Sequence, residues 1–219
     1  MLRVLVAGAG LTALLIAGVA QASAAAEATV PNPLLAKWSG PYGGVPPFDQ
    51  VKVEQFKPAL EAAMAETLGE IDKIAKDPAA PSFENTIAAL ERSGRTLDRV
   101  NNIFGIYSSS LSTPEFQAVE TEMAPRLAAF QDQINQNEPL FKRIAAVYEA
   151  REGSGLTPEQ KRLSWLYHTN FVRSGAKLDA AAKKRVAEIN ERLAALFTSF
   201  TQNVLADETD YLTVIENEA

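Results

Sequence analysis

Cysteine is absent from the 219-residue chain, and histidine occurs once, as His168. Within this chain the first absence excludes disulfides, thiolate metal sites, cysteine nucleophiles and lipid attachment at a cysteine. The second excludes any site that needs two histidines, including the paired ligands of an H-E-x-x-H zinc centre. Positive charge is also in deficit, with 21 Lys and Arg against 27 Asp and Glu and a formal net charge of -6. That balance disfavours binding to a phosphate backbone, so no nucleic-acid partner is expected. The one basic run, Lys183-Lys184-Arg185, falls within a helical pattern and reads as a solvated helix face. What is present, 47% hydrophobic and 22% charged residues, is the composition of an ordinary globular protein long enough to bury a core.

Residues 1–26 carry a single charged side chain, Arg3, followed by an apolar stretch from Val4 to Val19 and small residues from Ala20 to Ala26. That order is the order of a secretory signal, and both Ala20-Gln21-Ala22 and Ala22-Ser23-Ala24 suit cleavage. The expectation is an exported, periplasmic protein with no stable membrane association once the signal is removed. An uncleaved anchor is the rival reading, but Gly8, Gly10 and Gly18 interrupt a run already short for a membrane span. The stretch also contains Gly8-Ala9-Gly10-Leu11-Thr12-Ala13, a G-x-G-x-x-A pattern. No amphipathic helix and second strand follow it, so it does not read as a dinucleotide-binding turn.

Residues 27–52 read as an extended strap rich in proline and glycine, with Trp38, Tyr42 and Phe48 expected to anchor it to a helical body. Gly40-Pro41-Tyr42-Gly43-Gly44 lacks the Lys-Ser/Thr ending of a phosphate loop and reads as a turn. Residues 53–219 are then helical almost to the end. Apolar stripes at spacings of three and four run through Phe56–Ala75, Phe83–Leu111, Phe116–Ile134 and Leu140–Tyr148. Two more follow at Leu163–Phe171, where Leu166 is expected to face inward, and at Ala182–Val204. Ser82, Thr113, Thr157 and Asp179 stand where helix caps are expected; Gly94 interrupts the second stripe, and Pro125 should kink or break the third. At least five amphipathic helices with short connections predict an all-α multi-helix bundle or array. Tyr211–Ile215 reads as a short C-terminal strand, whose pairing partner is expected beyond Ala219.

Nothing in the chain assembles a convincing active site. His168 lies among aromatics in Trp165-Leu166-Tyr167-His168 and reads as a packing residue, although an imidazole suits proton transfer. Glu66, Glu70, Glu120 and Glu122 read as solvated helix positions, and Asp207, Glu208 and Asp210 as an acidic knot after the last helix. That knot lacks the alternating ligands of an EF-hand loop. No catalytic, cofactor-binding or metal-binding residue is therefore assigned.

Several segments together resemble the N-terminal part of the thimet-oligopeptidase-type zinc metallopeptidases, and within them most closely the bacterial peptidyl-dipeptidases. They are Asn32-Pro33-Leu34-Leu35, Pro47-Phe48-Asp49-Gln50-Val51-Lys52, Phe56-Lys57-Pro58-Ala59-Leu60 and Phe83-Glu84-Asn85-Thr86-Ile87. Met123-Ala124-Pro125-Arg126-Leu127 and Asn203-Val204-Leu205-Ala206-Asp207-Glu208 extend the match to the whole of the chain after the signal. The resemblance implies one lobe of a two-lobed helical peptidase, whose substrates are short unfolded oligopeptides losing C-terminal dipeptides. It also implies Zn held by H-E-x-x-H and a further glutamate in a C-terminal catalytic lobe. His168 does not carry over to that motif, because no glutamate-x-x-histidine follows it. The chain is accordingly expected to be inactive alone and to stop before the catalytic half, leaving that lobe as its missing partner. The alternative is an exported, non-catalytic helical binding or scaffold protein.

Overall fold

The structure, a computed structural model, describes residues 32–211. The expected signal at 1–26, the start of the strap and residues 212–215 of the expected strand lie outside the described residues.

Among the described residues the chain forms seven α-helices and no sheet, in agreement with the all-α expectation. They are α1 (Phe56–Ala75), α2 (Ala88–Arg92), α3 (Arg95–Ser110), α4 (Pro114–Asn135), α5 (Glu138–Ala150), α6 (Pro158–Arg173) and α7 (Ala180–Asp210). Their starts are set by local chemistry. The free N–H groups of a first helical turn need acceptors, and short polar side chains supply them. Ser82 Oγ accepts from the Asn85 N–H at 3.2 Å, and Asn85 Oδ1 accepts from the Ser82 N–H at 2.8 Å. This reciprocal pair opens a π-type turn, Phe83–Ile87, that leads into α2. Thr157 and Gln160 make the same exchange at the start of α6. Thr113 caps α4, and Asp179 caps α7 through the Ala182 N–H at 2.8 Å. Pro125 does not break α4, which continues through it to Asn135.

The stripe at Phe83–Leu111 is not one helix. It divides at Ser93-Gly94, where Gly94 adopts a left-handed backbone with φ 73°. The Gly94 N–H donates to Glu70 Oε2 of α1 at 2.7 Å, which fixes the start of α3 against α1. Gly94→Ala is expected to cost about 1–2 kcal/mol, because a Cβ disfavours this backbone region. A urea titration reads it as a lower midpoint at unchanged slope.

α1 carries both cores. Its first half gives Phe56, Ala59, Leu60 and Ala63 to a cluster completed by Leu34, by Leu97, Val100 and Ile103 of α3, and by Phe116, Met123 and Phe130 of α4. Its second half gives Ile71 and Ile74 to a cluster with Ile87, Leu90, Leu140, Ile144, Val147 and Phe171. α5 packs on α6, and α7 lies along α4. Among residues 180–209 of α7 none is buried.

The strap is held by fewer aromatics than expected. Leu34 is fully buried, and Trp38 packs on the first core, but Tyr42 is fully exposed and Phe48 is 39% exposed. The reason is a tight turn through Pro41–Gly43, closed by an antiparallel bridge between Ser39 and Val45, which carries Tyr42 out at its tip. The turn requires glycine at 44, where φ is 126° and a Cβ would stand 2.6 Å from that of Trp38. Leu166 of α6 likewise points outward, at 39% exposure, while Phe171 is buried. No described helix is long and apolar enough to cross a membrane.

Candidate functional site

His168 lies on α6 with its ring stacked on Tyr148 of α5, centroids 4.1 Å apart and planes 4° from parallel. Phe141 stacks more distantly at 5.7 Å, and the Arg151 guanidinium sits 3.8 Å from the centre of the Tyr148 ring. Burial, reinforced by the positive charge of Lys177, moves the imidazole below its ordinary pKa of 6.5. The ring is explained by packing between α5 and α6 without any chemistry. Because the unfolded chain binds this proton more tightly, the stabilisation is present above the ordinary value and is lost as pH falls through it toward the folded one. Stability measured by urea is therefore expected to fall with pH below about 6.5 in the native chain, and less steeply there in His168→Phe.

The acidic positions are used as ties between helices. Besides its bond to Gly94, α1 presents Glu66 to the Thr96 hydroxyl at 3.2 Å. Glu122 of α4 pairs with Lys57 of α1 at 2.6 Å, and the Lys57 hydrogen bond holds its carboxyl below the ordinary range. Glu120 accepts from the Ser108 hydroxyl of α3 and from Gln202 Nε2 of α7. These pairings account for the carboxylates more fully than solvation alone. Asp207, Glu208 and Asp210 do not follow the last helix but end it, since α7 runs to Asp210. Lys183-Lys184-Arg185 lies at the start of the same helix, where Lys184 and Arg185 are exposed.

A cleft of about 460 Å³ with mixed polar and apolar walls opens where α4, the end of α6 and α7 meet. Gln131, Asp132, Asn135, Arg173, Val186 and Asn190 are among its walls. Asp132 is buried, with Oδ1 accepting from Asn190 Nδ2 at 2.8 Å and Oδ2 without a protein partner. The cleft brings together no nucleophile, base and orienting group of the kind that acyl transfer requires. Sequence reasoning missed both Asp132 and the buried Arg143. Only Arg143 left a signal, since it shares a helix face with Leu140, Ile144 and Val147.

The donor set does not fit zinc. One histidine and no cysteine are present, and among the described residues no three of His, Cys, Asp and Glu come together around a metal ion.

No family model matches the chain. Individual relatives do. The dipeptidyl carboxypeptidase of Escherichia coli (strain K12) is 37% identical over 178 residues, 81% of this chain and 26% of the relative. The dipeptidyl carboxypeptidase of Salmonella typhimurium is 37% identical over 175 residues, 80% of this chain and 26% of that protein. The chain is a homologue of the thimet-oligopeptidase-type peptidases. Oligopeptidase A of Haemophilus influenzae extends the relationship at 27% identity, over 80% of this chain and 26% of that protein. The chain spans about a quarter of the length of these curated relatives. The relationship covers the helical array, and the 219 residues contain no H-E-x-x-H sequence.

Proposed function

We propose that this chain is the non-catalytic helical part of an exported peptidase that releases dipeptides from the C-termini of short oligopeptides. One observation carries the reading. A chain with a single histidine is 37% identical to a dipeptidyl carboxypeptidase across 81% of its own length. The helices would form one wall of a substrate channel, and the residues that hold zinc, polarise the scissile carbonyl and activate water would stand elsewhere in the peptidase. The ties among α1, α3 and α4 support that role, because a wall that admits only unfolded peptides must keep its shape. Export, and with it a periplasmic location, rests on the order of charge, apolar stretch and small residues over 1–26.

The test is to incubate the purified chain with zinc and a short N-terminally blocked peptide and to measure dipeptide release. No turnover is expected. Metal-dependent release that a chelator abolishes would overturn the assignment of catalysis to residues outside this chain.

A further inference from the structure

A column of stacked rings with a cation at one end joins α5 to α6. Phe171 stacks on Phe141 at 6.3 Å, Phe141 on His168 at 5.7 Å and His168 on Tyr148 at 4.1 Å between centroids. Arg151, directly after α5, closes the column, with its guanidinium carbon 3.8 Å from the centre of the Tyr148 ring. The same guanidinium donates to the Tyr148 carbonyl at 2.6 Å. Arg151 also begins the loop to α6, in which residues 152–155 are exposed. The Arg151 and Gly153 N–H groups donate back to carbonyls of α5, at Tyr148 and Ala150. Side chains fasten the loop to the rest of the fold, Arg151 on Tyr148 and Glu152 to Lys161 of α6 at 3.0 Å.

We propose that this column is an acid-sensitive latch, in which a proton on His168 drives the Arg151 guanidinium off Tyr148 and frees the loop while the helices stay folded. The imidazole and the guanidinium both lie about 4 Å from one ring, so a charged His168 sets two cations within about 8 Å of each other. Salt screens such a pair only in part, since the Debye length at physiological ionic strength is about 8 Å. Burial and Lys177, in the segment after α6, also oppose the proton, and Glu149 of α5 favours it. The other charges on the packed elements are engaged. Glu91 of α2 accepts from the Tyr167 hydroxyl at 2.7 Å, Glu84 of the turn before α2 pairs with Arg92 at 2.7 Å, and Arg143 of α5 is held by the Asp77 and Ala79 carbonyls. Of the two cations Arg151 is the one that moves, because His168 is fixed within α6 and Arg151 stands at the edge of a loop with two glycines. The loop matters because Ser154 and Leu156 line a cleft of about 360 Å³ together with Ser82, Phe83 and Glu84. Releasing the loop reshapes that cleft. The latch does not depend on the peptidase reading.

Because the chain has no cysteine, Gly153→Cys can carry a single nitroxide spin label, and a Cβ at Gly153 meets nothing within 4 Å. In the full chain the label is expected to tumble several-fold faster at pH 5 than at pH 7.5. The midpoint should lie below the ordinary imidazole value of about 6.5, with far-UV circular dichroism unchanged. Glu152 stays ionised across this interval, because the Lys161 hydrogen bond holds its carboxyl below the ordinary range. In His168→Phe, which keeps a ring in the column, the label is expected to stay slow at both pH values. In Arg151→Gln, which removes the cation that fastens the loop, it is expected to be fast at both. The inference is overturned if the label moves equally at pH 7.5 and pH 5, if His168→Phe responds to acid as the native chain does, or if helical signal is lost together with the gain in mobility.

Discussion

Phe56→Ala is expected to cost the fold about 3–5 kcal/mol, the largest effect of any single truncation considered. The side chain is fully buried at the start of α1. Its ring meets Phe104 at 5.6 Å, Tyr107 at 4.8 Å and Phe116 at 5.3 Å between centroids, all edge-to-face. Edge-to-face contacts set the positive edge of one ring against the negative face of another, which adds to the area buried. The three neighbours come from α3 and α4, so one side chain joins three helices. Alanine leaves a cavity that rings held by separate helices cannot close. Phe56→Leu refills most of the volume, and its cost is expected to stay below about 2 kcal/mol. Urea denaturation of the pair checks the account. A loss under about 1 kcal/mol for the alanine variant would show that the aromatic cluster is not where the first core is held.

Arg143→Ala is expected to cost about 3 kcal/mol or more. Arg143 of α5 is 6% exposed, and its Nη1 donates to the carbonyls of Asp77 at 2.7 Å and Ala79 at 2.9 Å. Its Nη2 stands 3.4 Å from the Asp77 carboxylate. One guanidinium therefore fastens the turn that ends α1 to a helix 66 positions further along the chain. Removing it leaves two backbone acceptors and a carboxylate without their cation. Arg143→Lys keeps the charge but not the planar fork, so it is expected to recover only a small part of the loss. Lys142→Ala is the control, since the neighbouring Lys142 is 72% exposed and its pair with Glu138 is worth little. Equal stability of the Arg143→Ala and Lys142→Ala variants would contradict this role.

The helices and their caps were readable because each depends on a few adjacent residues. Ser82, Thr113, Thr157 and Asp179 all cap where expected. Three features were not fully readable. Gly94 marked an interruption of the second stripe, but Leu90 and Leu97 stay in register across it, so the division into two helices did not show. The orientation of α7 hides because periodicity identifies an apolar face without saying what covers it. Its contacts to α4 depend on Asn190 and Gln202, polar residues that an apolar stripe leaves out. The role of Arg143 hides because its acceptors are carbonyls far away in sequence. The homology to the peptidases was readable from the order of several short segments. The site chemistry offered less, since Glu66, Glu70, Glu120 and Glu122 serve as ties between helices.

These helices are proposed to do for a peptidase what the matched region does in its relatives. The most direct measurement replaces the matched segment of the Escherichia coli dipeptidyl carboxypeptidase with the corresponding segment of this chain and follows dipeptide release from a short peptide. A folded chimera that releases dipeptides is expected. A chimera that folds but leaves the peptide intact would contradict that role.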